Sequence, residues 1–307
     1  MNAILSTETQ AQLQAQPQAV APSIASSAMF AELSIGNWTA RKLDRTATKQ
    51  TTSANGAADD AGAFHKKLIA SPTLEAVQKH IVHTRANIHY RLTMPWSDMG
   101  IRLLPTSVFP EYYGLITEAE TKFHELKGVF LQEYEWDKTQ AQARLGTLFS
   151  EDDYPSVEAV SAKFRFRHTQ TPIPDVDDFR LNIGHEAEES LKSQYQQFYT
   201  TQIEAAMQDV WQQTYDALSK MSERLDYTDK EDKATRKIFR DSLVENVRDL
   251  LGLLPKFNIT QDQRLENMRL RLEDAMLGVS ADALRDDDAL RLDTKAKVDG
   301  ILKSFKW

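Results

Sequence analysis

The sequence predicts a mainly helical α+β protein: a small N-terminal part with two or three strands, followed by a C-terminal part built as a long-helix bundle or hairpin. Two observations carry this. Leu191, Tyr195, Phe198, Ala205, Val210, Trp211, Leu218, Met221 and Leu225 recur mostly at the spacing of one helix face. A helix from about Gly184 to Leu225 would span roughly 60 Å at about 1.5 Å per residue, and a stripe that long must lie against another helix or a partner. Lys163 to His168, in contrast, alternates strictly between cation and ring, which is the period of a strand. The expected division is a disordered tail over 1–27, an α+β domain over 28–183 and a helical domain over 184–307.

Residues 1–27 are rich in Gln, Ala, Ser and Pro, and Glu8 is their only charge. Such a segment has little to bury and is expected to be disordered. Order is expected from near Met29, with Phe30 to Leu43 as a strand because Gly36 and Asn37 weaken a helix there. Thr46 to Gly62 is polar and reads as a loop leading to a short helix through Ala70. Ser71 and Pro72 pair a capping hydroxyl with a proline at the first helical position, so a helix should run to about Leu92. Pro95, Gly100, Pro105 and Pro110 exclude a long element between them, and Pro110 opens a helix carrying Leu115, Phe123, Leu126, Phe130, Tyr134 and Leu145. A short helix follows Tyr154 and Pro155. After the Lys163–His168 strand, broken at Thr171 to Pro174, Asp178 to Ile183 reads as a second strand.

In the helical half, Thr228 and Asp229 are placed to cap a helix running to Leu251, with Gly252 and Pro255 as its stop. Thr260 and Gln263 have capping-box spacing ahead of Leu265, Met268, Leu272 and Met276. Ser280 caps a short helix, and the last helix carries Val298, Ile301, Leu302 and Phe305.

Composition narrows the function. The 307 residues are 41% hydrophobic and 27% charged, within the range of a folded soluble protein. A net charge of −8 disfavours attraction of the whole surface to nucleic acid or anionic membrane. The absence of cysteine removes disulfides, thiolate metal sites and thiol nucleophiles. No run approaches the 18 or so apolar residues of a membrane span. The N-terminus lacks a signal peptide's basic and apolar regions, so a cytoplasmic protein is expected.

No P-loop, dinucleotide fingerprint or nucleophile-elbow motif occurs, and no catalytic residues or cofactor are assigned. His80 and His83 share a helix face, but a metal would need a third ligand from elsewhere. The acidic runs Glu151 to Asp153 and Asp286 to Asp288 lack the spacing of a calcium loop. On a strand, Lys163, Arg165 and Arg167 would share one face, and Phe164 and Phe166 the other. The simpler account is an amphipathic strand with a solvated basic face; the alternative is a track for single-stranded nucleic acid, with Arg41 and Lys42 joining if their strand pairs with it. Tyr195, Phe198, Trp211 and Trp307 are the candidate protein-interface anchors.

Leu33 to Leu43, with Trp38 followed by Arg41 and Lys42, resembles the opening of an uncharacterised family of phages and mobile elements. In that family a short strand ending in Trp and a basic residue precedes a polar segment and a helical region, and the order of elements over about 30–183 is similar. The Thr- and Ala-rich spacer after Asp44 departs from it. Such proteins are often encoded beside a MoxR-type AAA+ ATPase and a von Willebrand A-like protein. The resemblance therefore implies an accessory or adaptor protein in host cytoplasm, partnering an AAA+ ATPase or assembling with itself. It supplies no catalytic residues.

Overall fold

The computed structural model describes residues 24–174, 185–226 and 241–305. In chain order the elements are α1 (Ile24–Ser27), β1 (Ala28–Gly36), β2 (Arg41–Leu43), α2 (Arg45–Ala54), β3 (His65–Lys67) and α3 (Pro72–His83). A π-helical segment (Thr84–Tyr90) continues α3, and β4 (Met94–Pro95), β5 (Arg102–Pro105), α4 (Phe109–Leu145), α5 (Val157–Ser161) and β6 (Arg165–Pro172) follow. The helical half comprises α6 (His185–Leu225), α7 (Asp241–Phe257), α8 (Gln263–Ala275), α9 (Ala281–Asp286) and α10 (Asp288–Leu302). The protein is thus mainly helical, with a small antiparallel sheet in its N-terminal part and long helices towards its C-terminus.

That sheet has the order β4-β5-β1-β6. Strand β1 is central: Phe30 faces Leu103 of β5, while Glu32, Ser34 and Gly36 lie opposite Thr169, Arg167 and Arg165 of β6. Residues directly opposite share a face. One face therefore carries Leu33, Ile35 and Phe166, which pack towards Phe123 and Phe130 of α4. The same cluster takes in Trp38, whose ring meets Tyr134 edge-on at 5.6 Å. Strands β2 and β3 form a separate ribbon.

In the helical half, α6 packs against α7 and α10, and α8 against both. Val210, Leu218, Met221 and Leu225 of the predicted stripe are all buried. Arg291, itself buried, donates from Nη1 to the Leu225 carbonyl at 2.7 Å and so closes the C-terminal end of α6 with a cation. Trp96 joins the two halves: its ring lies 5.2 Å from Phe30, 6.1 Å from Phe198 and 5.6 Å from Tyr199.

Several elements differ from expectation for identifiable reasons. The predicted loop after Thr46 is helix α2, because Asp44 caps it, accepting from the Ala47 amide at 2.9 Å. Its threonines bond back to the carbonyls four residues earlier, Thr48 to Asp44 at 2.7 Å and Thr51 to Ala47 at 2.8 Å. The short helix expected before Ala70 is β3, leading into the buried Leu68 and Ile69. Residues 24–27, assigned to the tail, form a helical turn. Strands β4 and β5 were hidden among prolines. Helix α7 continues through Gly252 and Pro255 to Phe257, its last turn held down by buried Leu253, Leu254 and Phe257; tertiary packing outweighs the helix-stop signal. Asp262, not Thr260, caps α8, accepting from the Arg264 amide at 2.8 Å. Residues 1–23, the strand predicted over 178–183, the cap at Thr228 and Asp229, and Trp307 lie outside the described residues.

The π-helical segment buries a polar cluster. His89, 3% exposed, has Nδ1 2.9 Å from the Tyr112 hydroxyl. Thr93 donates to the His89 carbonyl at 2.5 Å, and Arg102 donates to Thr93 from Nε at 2.6 Å. Burial, reinforced by Arg102 and Arg85, pushes His89 down to about 4 from 6.5. The sign follows directly: between these values the unfolded chain binds a proton that the folded chain refuses. Stability is undiminished above pH 6.5 and should fall as pH drops to about 4, by on the order of 3 kcal/mol at about 1.4 kcal/mol per unit. Urea midpoints measured from pH 7 to pH 5 should decline in the wild type and flatten in His89→Gln; parallel slopes would contradict this account.

Candidate interaction surfaces

Strand β6 begins where α5 ends. Ser156 caps that short helix, accepting from the Ala159 amide at 3.3 Å, and Val160 and Phe164 turn into the core. Phe164 lies 5.7 Å from Phe130, and Phe166 lies 5.4 Å from Phe123. Arg165 and Arg167 are exposed on the other side, whereas Lys163, expected on the same strand, is exposed in the turn before it, because its amide bonds back to the Val160 carbonyl at 3.0 Å. Among the described residues none of the three has a carboxylate within 4.0 Å, whereas cations such as Lys42, Lys138, Arg269 and Lys295 are paired. Ser34 and Thr169 add hydroxyls to the same face, and Glu32 is its one carboxylate on β1.

Gly36 permits the close approach at the start of β6. A Cβ there would sit 3.0 Å from the Lys163 carbonyl oxygen, a backbone atom that cannot swing away. Gly36→Val should therefore destabilise the fold by about 1–3 kcal/mol, read as a lower urea midpoint. An unchanged midpoint would mean that the two strands are farther apart than described.

Arg41 and Lys42 do not join this face. After β1 the chain turns through Ala40, at φ 51°, with Trp38 and Ala40 buried under α4. Strand β2 then pairs with β3, not with β6. Lys42 is bound to Asp153 at 2.6 Å, and Arg41 is exposed on the ribbon. Asp153 also pairs with Lys66, only 7% exposed, whose ammonium lies 3.4 Å from Asp44 and donates to the Leu148 carbonyl at 2.8 Å. Burial alone would raise the Asp153 carboxyl; the two ammoniums outweigh it and hold the group below its usual value.

The predicted interface anchors separate along α6. Phe198 is 44% exposed and meets Trp96 edge-on, and Tyr195 is 43% exposed beside Tyr199. Trp211 is half-buried, with its ring 5.3 Å from Phe305, so it anchors the helical half internally. Sequence reasoning missed Met99, 91% exposed in the turn between β4 and β5. An apolar residue between Asp98 and Gly100 in a turn was the available signal.

His80 and His83 line an open groove of about 500 Å³ between α3 and α4, with Glu118, Lys122 and Glu125. The His80 Nε2 lies 2.8 Å from the Ala119 carbonyl, His83 Nδ1 2.7 Å from the Asn87 amide nitrogen, and Lys122 3.0 Å from Glu125. These side chains are engaged with the scaffold. Among the described residues no group of three or more His, Asp or Glu is placed to hold a metal ion. No described helix is long and apolar enough to cross a membrane.

No family model, curated protein or solved structure matches the chain significantly.

Proposed function

We propose that this chain works by binding another protein rather than by catalysis, as a cytoplasmic adaptor of a phage or mobile element. The observation that carries the reading is Phe198: a large ring 44% exposed on a long helix, seated edge-on against a buried tryptophan that ties the helix to the sheet. Rigid aromatic anchors of this kind concentrate binding energy because little side-chain entropy is lost when a partner covers them. The family resemblance makes an AAA+ ATPase the first partner to try, with a second copy of the chain as the next.

The test is capture from native cytosol with tagged wild type and Phe198→Asp, each with and without nuclease. The proposal expects one stoichiometric protein that survives nuclease and is lost with Phe198→Asp, a loss of about 2 kcal/mol or more in binding. Folding should change by no more than about 1 kcal/mol, since the ring is half in solvent. Partners that vanish on nuclease digestion, or that ignore Phe198→Asp, would overturn it.

A further inference from the structure

We propose that β6 is an acceptor edge for an acidic, extended protein segment, which adds to the sheet as a further strand with carboxylates over Arg165 and Arg167 and its end near Lys163. Strand β6 is eight residues long and, among the described residues, stands at the border of the sheet. Among the described residues no strand or loop pairs with its outer side. An edge of this length presents a row of amides and carbonyls ready to bond an incoming backbone.

The side chains specify what would fit. Arg165 and Arg167 stand two residues apart on the strand, about 6.8 Å at 3.4 Å per residue. An added strand has the same repeat, so Asp or Glu at alternate positions would stand directly opposite each cation, at cross-strand pairing distance. Charge complementarity and backbone pairing then act in one register, with Ser34 and Thr169 available to neighbouring polar groups.

The same geometry disfavours nucleic acid. A single-strand platform stacks bases on aromatics that share a face with the cations. Here Phe164 is 3% exposed and Phe166 packs on Phe123, both on the opposite face. A nucleic acid would also leave the strand's free amides and carbonyls without a matching ladder.

The experiment uses the full chain and fluorescein-labelled probes: a nine-residue peptide alternating Glu and Thr, the same peptide with two Thr replaced by Pro, and a twelve-residue oligo-dT. Anisotropy titrations should show binding of the first peptide and at least tenfold weaker binding of the proline peptide, which keeps the charge but cannot complete the ladder. Arg165→Glu with Arg167→Glu should abolish binding, and Arg165→Gln with Arg167→Gln should weaken it. Both residues are exposed, so helicity should be unchanged. Amide exchange in β6 should slow when the first peptide binds. Equal affinity for the two peptides would reduce the effect to charge alone and overturn the proposal. Tighter binding of oligo-dT would assign the face to nucleic acid. No peptide binding would mean that the arginines serve only to blunt the edge against self-association. Phe198→Asp should leave peptide binding unchanged, so failures of the Phe198 surface and of the β6 edge register separately.

Discussion

Trp96→Ala is expected to cost about 3–5 kcal/mol, the range for removing a fully packed tryptophan. Trp96 is 4% exposed and touches Phe30 of β1 together with Phe198 and Tyr199 of α6. Removing it opens a cavity at the point where sheet and long helix meet, and neither side can collapse without moving a strand or a helix. The loss should be local as well as global: amides around Phe198 and Tyr199 should exchange faster than those around Leu218, which packs deeper in the helical half. A loss below about 1 kcal/mol in urea unfolding would mean that the junction is not formed through this ring. Partner capture should fall with it, because Phe198 would lose its support.

Asp153→Ala is the second large effect, expected in the lower part of about 3–5 kcal/mol. The substitution strands Lys66, 7% exposed, with a weaker carboxylate at 3.4 Å and one carbonyl. It also deprives Lys42, on β2, of its carboxylate partner. The cost is that of an uncompensated buried charge more than of a lost attraction, and the two can be told apart. Lys66→Met combined with Asp153→Leu should recover most of the loss, since an apolar pair of similar volume requires no desolvated charge. Failure of that rescue would assign the effect to the exposed Lys42 bridge or to the loop backbone. The pair also bears on acid stability. Asp153 sits below the ordinary carboxyl value of 3.8 in the folded state, so its contribution is present above that value and lost as pH falls through the lower, folded one.

Local signals were legible wherever one residue type decides the backbone. The long stripe located α6 within one residue of its described start and at its described end, Leu225. Ser71 with Pro72 opened α3, and Ser280 opened α9, each through a hydroxyl accepting an amide of the first turn. From Arg165 to His168 the alternation separated cations from rings onto two faces, but Lys163 lies in the turn before the strand and β6 runs on through Thr171 to Pro172, where pairing with β1 outweighs the proline. What could not be read was the outcome of long-range competition. Pro255 remains helical only because Leu253, Leu254 and Phe257 find a core to fill. Thr-rich α2 forms because Asp44 caps it and the threonine hydroxyls satisfy themselves within the helix. Arg41 and Lys42 leave the basic face because β2 chooses β3, a pairing set by chain segments more than 20 residues apart. The edge position of β6 was illegible for the same reason: alternation fixes which side chains share a face, not which strand stands at the border.

The most direct measurement places a photo-cross-linking phenylalanine analogue at position 198 and, as a control, at position 270, where Leu270 is comparably exposed on α8. The protein-binding account predicts a single discrete adduct from position 198 after irradiation in native cytosol, and none from position 270. The same adducts from both positions, or none from position 198 while a partner is still captured, would contradict it.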